Sequence, residues 1–139
     1  MRSHREPFEF RATFSELDEG LEVLHGSIDR LRQATGRGAD DLSLILFETA
    51  LGEIGGNVLT HGRPPGTDRP VDYALRFEGG VVEASLTDSG APVHEHLARP
   101  MPEHESEAGR GLAMARSLLD ELGYERDGVV NRWRLVKRL

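Results

Sequence analysis

The chain has 139 residues, 37% of them hydrophobic and 29% charged, with no cysteine and a formal net charge of −7. That balance fits one folded domain over 1–139 and excludes disulfides, thiolate metal sites and thiol nucleophiles. The excess of 24 acidic over 17 basic residues disfavours direct nucleic-acid binding, which feeds on positive charge. In chain order, residues 7–13 alternate and predict a strand. Ser15 with Asp18 resembles a capping box, and Leu17, Leu21, Leu24, Ile28 and Leu31 then follow at helical steps. Arg30 and Arg32 fall on the outer side of that helix, and Gly36 and Gly38 end it. Asp40 or Asp41 caps a second helix over roughly 41–61, whose apolar stripe is Leu44, Phe47, Leu51, Ile54 and Val58. Gly62 to Gly66 is a loop. Residues 71–77 and 81–87 alternate around Gly79-Gly80 and predict a hairpin. From Ser89 to Ala108 there is no period, and about twenty residues of loop hint at a functional lid. A third helix is predicted over roughly 110–122, with Leu112, Ala115, Leu119 and Leu122 inward. The tail from Tyr124 reads as a second hairpin about Asp127-Gly128. The resulting fold class is an α/β (α+β) two-layer sandwich: three helices on one face of a mixed, mostly antiparallel sheet of about five strands.

Lys137 is the only lysine. Its place in the tail serves neither a P-loop nor the strand lysine of the large protein kinases. No run approaches the ~20 apolar residues of a membrane span, and Met1 to Glu6 lack the apolar core of a signal peptide. With cysteine absent as well, a cytoplasmic location is expected.

Three polar signals stand out. Glu53, Asn57 and His61 form one row of the second helix at steps of four. Gly52, Gly55 and Gly56 each cost that helix about 1 kcal/mol relative to alanine, which suggests close approach of a ligand or another backbone. The plainer alternative is a polar helix end with small residues packed on the sheet. Next, Asp88-Ser89-Gly90 lies where a strand enters the long loop. A carboxylate there accepts hydrogen bonds only, so it suits an exocyclic amine and repels phosphate; a capped Ser-Gly turn is the plainer alternative. Last, Gly109-Arg110-Gly111-Leu112 opens the third helix, where free N–H groups and the helix dipole favour an anion. A flexible hinge would look the same. Mg²⁺, with its preference for few protein ligands, fits one Asn oxygen. His94 and His96 could share a metal on an extended segment, although a solvated loop is the plainer reading. Trp133, on an alternating strand, is expected in the core.

In this order the three signals resemble the N, G1 and G2 boxes of the Bergerat-fold ATPases. By size and spacing the chain is similar to the small anti-sigma-factor serine kinases of the RsbW/SpoIIAB type. The resemblance covers nearly the whole chain. It is carried by Glu53 to Gly62, Asp88-Ser89-Gly90-Ala91-Pro92, Gly109 to Leu112, and the tail from Tyr124. It implies a single histidine-kinase-like ATPase domain with an ATP lid at about 91–108, using ATP and Mg²⁺. It implies Glu53 as the general base, Asn57 as the Mg²⁺ ligand and Asp88 as the adenine reader. Gly90, Gly109, Arg110, Gly111 and Leu112 would complete the nucleotide walls. The implied activity is a serine/threonine protein kinase that phosphorylates a small anti-anti-sigma (STAS-type) protein and binds a sigma factor in a partner switch. The alternative is a nucleotide-binding, partner-sequestering module without phosphoryl transfer. Homodimers are common in the family; no membrane or nucleic-acid partner is implied. Two positions depart from the usual pattern: Gly56 stands where Thr is frequent, and Val93-His94 follow Pro92.

Overall fold

In the computed structural model the described residues are 7–61, 70–89 and 107–139, with His61 and residues 107–110 given by backbone only. Among the described residues five strands form one sheet: β1 (Phe8–Phe14), β2 (Val71–Glu78), β3 (Val81–Asp88), β4 (Glu121–Asp127) and β5 (Val130–Arg138). Their spatial order is β1-β2-β3-β5-β4. All four pairings are antiparallel, which corrects the expected mixed sheet. The described helices are α1 (Leu17–Thr35), α2 (Leu42–His61) and α3 (Glu107–Leu118).

Alternation divides the sheet into two faces. Tyr73, Leu75 and Phe77 of β2, Val82, Ala84 and Leu86 of β3, and Trp133 and Leu135 of β5 are buried. They join Leu24, Ile28 and Leu31 of α1, Leu44, Phe47, Leu51, Ile54 and Val58 of α2, and Leu112 and Ala115 of α3 in one core. The opposite face is polar. There Arg134 reaches Glu83 at 2.9 Å and Glu121 at 2.7 Å, in an open groove of about 500 Å³. By length and composition Leu42–Thr60 would pass for a membrane span, contrary to the expectation from apolar runs. The stripe that makes it so apolar is the part buried in this core.

The turns obey the predicted chemistry. Gly79 and Gly80 both take positive φ, 62° and 80°, as a two-residue hairpin of that hand requires. The second hairpin turns through Gly128-Val129, one residue later than expected, with Gly128 at φ 66°. Asp41, rather than Asp40, caps α2: its Oδ1 accepts from the Leu44 N–H at 3.1 Å. The Ser15–Asp18 capping box does not form. Glu16 is the N-cap residue of α1 and makes no side-chain cap bond.

Leu17, expected inward, is 39% exposed. Arg32 is not an outer residue either. It binds Asp29 at 2.9 Å and Glu48 of α2 at 3.0 Å, while Arg30 lies 5.5 Å over the Phe10 ring. The third helix ends at Leu118 instead of near 122, and Leu122 belongs to β4. The cause is competition from the sheet: the Asp120 N–H donates to Val136 O at 2.9 Å and its carboxylate takes the Arg138 N–H at 2.6 Å.

Candidate functional site

Two polar centres lie at the ends of core elements. The first joins α2 to α3. Leu112 and Ala115 anchor α3 in the core, which lays Gly111 against the Glu53–Asn57 row. A Cβ added to Gly111 would stand 2.6 Å from Glu53 Oε1 and 3.4 Å from Asn57 Nδ2. Only the absence of a side chain permits this approach. The first and third sequence signals are thus brought together. Helix α3 begins at Glu107 rather than near 110, so Gly109 and Arg110 fall in its first turn, whose N–H groups lack helical partners. Gly111 follows directly after that turn.

Asn57 Nδ2 is buried and has no hydrogen-bond partner among the described residues. Leaving such a group unmatched costs about 1–3 kcal/mol, so this amide is poised for a partner that the described residues do not provide. An Asn amide presents an oxygen or an N–H by a half-turn of its last bond. Beside the Glu53 carboxylate, this donor set fits a hard cation with few protein ligands, or a phosphate oxygen.

The glycines of α2 have separate reasons. A Cβ at Gly55 would strike Leu24 of α1, so that glycine serves helix packing. Gly56 faces open space, with nothing within 4 Å of an added Cβ. The close approach expected from all three glycines is therefore found at Gly55 alone.

The second centre is on the sheet. Asp88 ends the inward row of β3 and is 3% exposed; Asn131 opposite it on β5 is 1% exposed. Asn131 Nδ2 donates to Asp88 Oδ1 at 3.0 Å. Asn131 Oδ1 accepts from the Tyr124 hydroxyl and from Arg126 Nη1 at 2.9 Å, both on β4. A buried carboxylate needs such donors to stay in place.

Asp88 and Glu53–Asn57–Gly111 thus occupy separate elements, sheet and helices, around the same core. Gly90, the lid at about 91–108 up to the start of α3, and His94 and His96 lie outside the described residues, as does the side chain of His61. Leu112 is a core residue, 3% exposed. Among the described residues no group of three or more metal-ligating side chains occurs. The roles of Asn131, Tyr124 and Arg126 escaped the sequence reading. The available signal was an Asn heading an inward row that continues with Trp133 and Leu135.

A family model described as histidine kinase-like ATPase domain matches residues 16–137. Among solved structures, the chain is similar to the crystal structure of the RsbU and RsbW domains of Rv1364c from Mycobacterium tuberculosis. The TM-score is 0.66 at 20% identity, over 96% of this chain and 32% of that one. At this identity the likeness is one of fold, and the chain spans about a third of that protein's length. The comparison with curated proteins gives no match.

Proposed function

The chain belongs to the histidine kinase-like ATPase domain family, and from that premise we propose that it is a cytoplasmic ATP- and Mg²⁺-dependent serine/threonine kinase acting on a small anti-anti-sigma protein, and an anti-sigma factor. Family membership implies ATP binding. The observation that carries the further step is the Glu53–Asn57–Gly111 juxtaposition, with an amide left unmatched beside a carboxylate. A module that only held nucleotide would have no use for that carboxylate.

In this reading Asp88 accepts from the adenine amine, and the first turn of α3 receives phosphate oxygens on its free N–H groups. Asn57 would hold Mg²⁺, which when bound neutralises phosphate charge. Glu53 takes the proton of the substrate serine as its Oγ bonds to the γ-phosphorus and the bond to the β–γ bridging oxygen breaks, releasing ADP. The likeness of fold to a chain that holds an RsbW domain supports the choice of partners: the anti-anti-sigma substrate and a sigma factor held alternately.

The test is single-turnover transfer from γ-labelled ATP–Mg²⁺ to candidate antagonist proteins. Wild type should phosphorylate one of them. Glu53→Ala should bind ATP and partner as before but transfer roughly 10²–10⁴-fold more slowly, the range of a general base. An equally fast variant removes Glu53 from the base role. ATP binding without transfer to any antagonist makes the chain a nucleotide-dependent sequestering module instead.

A further inference from the structure

The buried pair at the end of β3 is more than a satisfied carboxylate. Asn131 bonds Tyr124, Arg126 and Asp88, and the directions of these bonds fix which end of its amide faces Asp88. Its oxygen accepts from two donors, the Tyr124 hydroxyl and Arg126 Nη1. Its nitrogen donates to Asp88 Oδ1 at 3.0 Å. Turning the amide over would set an NH₂ against the donor-only Arg126 guanidinium and a carbonyl against the Asp88 carboxylate, losing both of those bonds at a site 1% exposed. The half-buried β4 residues therefore determine that Asn131 is a donor toward β3, and that donor engages Asp88 Oδ1 and restrains the turning of its carboxylate.

We propose that Asn131, oriented by Tyr124 and Arg126, is a positioning residue that sets base selectivity by holding Asp88 as a fixed acceptor for an exocyclic amine. This rests on the nucleotide reading given above. An aimed carboxylate accepts from the amine of adenine and opposes the carbonyl that guanine carries at the same ring position. A carboxylate free to rotate would keep its charge but lose the alignment on which a hydrogen bond depends. Asn131 need not touch the ligand. It acts through Asp88, and its own orientation comes from a strand at the sheet edge.

The experiment is calorimetric titration with ATP and with purine riboside triphosphate, which keeps the ring but lacks the 6-amino group. Wild type should favour ATP by roughly tenfold or more, the range of a hydrogen bond to a charged group. Asn131→Asp keeps the shape and the acceptor for Tyr124 and Arg126 but puts a second carboxylate opposite Asp88. It should weaken ATP roughly ten- to a hundredfold while leaving the analogue nearly unchanged, so that the ratio falls toward one. Arg126→Met and Tyr124→Phe, which spare the buried position, should lower the ratio by smaller factors in the same direction and serve where Asn131→Asp does not fold.

An equal loss for both ligands, or an unchanged ratio in variants that unfold near the wild-type temperature, overturns the proposal. A ratio that collapses in Asp88→Ala but survives in every one of these variants overturns it while sparing the reading of Asp88. Failure of wild type to bind ATP overturns the nucleotide reading and this inference with it.

Discussion

Gly111 has no side chain, and the carboxylate of Glu53 occupies the space a methyl group would take, 2.6 Å from the missing Cβ. That carboxylate is the far end of a flexible side chain, so Gly111→Ala should displace it at little cost in stability. Alanine also gains up to about 1 kcal/mol of helix propensity. We therefore expect Gly111→Ala to unfold at or above the wild-type temperature and to transfer phosphate roughly 10²-fold more slowly, the cost of an ångström-scale misplacement. Thermal melting with single-turnover kinetics checks both halves, and an unchanged rate would place the chemistry away from Glu53. The Glu53–Asn57 pairing was legible because residues four apart on a helix share a face whatever the tertiary fold. Asp88 was legible as the last inward residue of an alternating strand. Asn131 was not, because its meaning depends on β5 pairing with β3, a contact across 43 positions that no local period encodes.

Element ends decide the register of everything between them. Asp41 caps α2 through the Leu44 N–H. That bond first, and the Arg37 guanidinium second, hold its carboxyl below the ordinary carboxylate range. A lowered folded-state pKa contributes stability above the unfolded value and loses it as pH falls. Asp41→Ala should accordingly cost about 0.5–2 kcal/mol at pH 7. The gap should close as pH drops through about 4 and below, where the unfolded carboxyl and then the folded one take up protons. Urea denaturation across that range measures it; a gap independent of pH would mean that the charge contributes nothing. Helix and strand types were readable from periodicity, but two boundaries were not. Ser15 offered a cap that the chain does not use, since β1 runs through Phe14 and leaves Glu16 at the N-cap position. Leu119 and Leu122 fit a helical step, yet the bond from Asp120 N–H to Val136 O starts β4 there instead. In both places pairing with a distant strand outweighed a local preference.

At the scale of the molecule, one core serves the described helices and the antiparallel sheet, and the two polar centres border it. Trp133, the only tryptophan, is 3% exposed and its ring lies 4.8 Å from that of Tyr124. It is the inward neighbour of Asn131 on β5. Binding of ATP at Asp88 should therefore change tryptophan emission, GTP should not, and ATP should raise the unfolding temperature. At a hundred times Kd the linkage is worth about 2.7 kcal/mol. A titration followed by fluorescence and by thermal shift tests this, and a silent tryptophan at saturating ATP would move the base away from Asp88. The architecture was foreseeable because alternation and helical steps left few layer arrangements. The strand order was not, since β5 enters between β3 and β4. That insertion has a consequence in time. Asp88 is synthesised 43 residues before Asn131, an interval of roughly 2–9 s at about 5–20 residues per second. Until the later strand is made, the growing chain carries β3 with one edge open, the kind of edge that invites wrong partners. On the proposed reading, the centre that would read the base closes only when that edge is filled, so capture of the nucleotide there would require β5 to be made and paired.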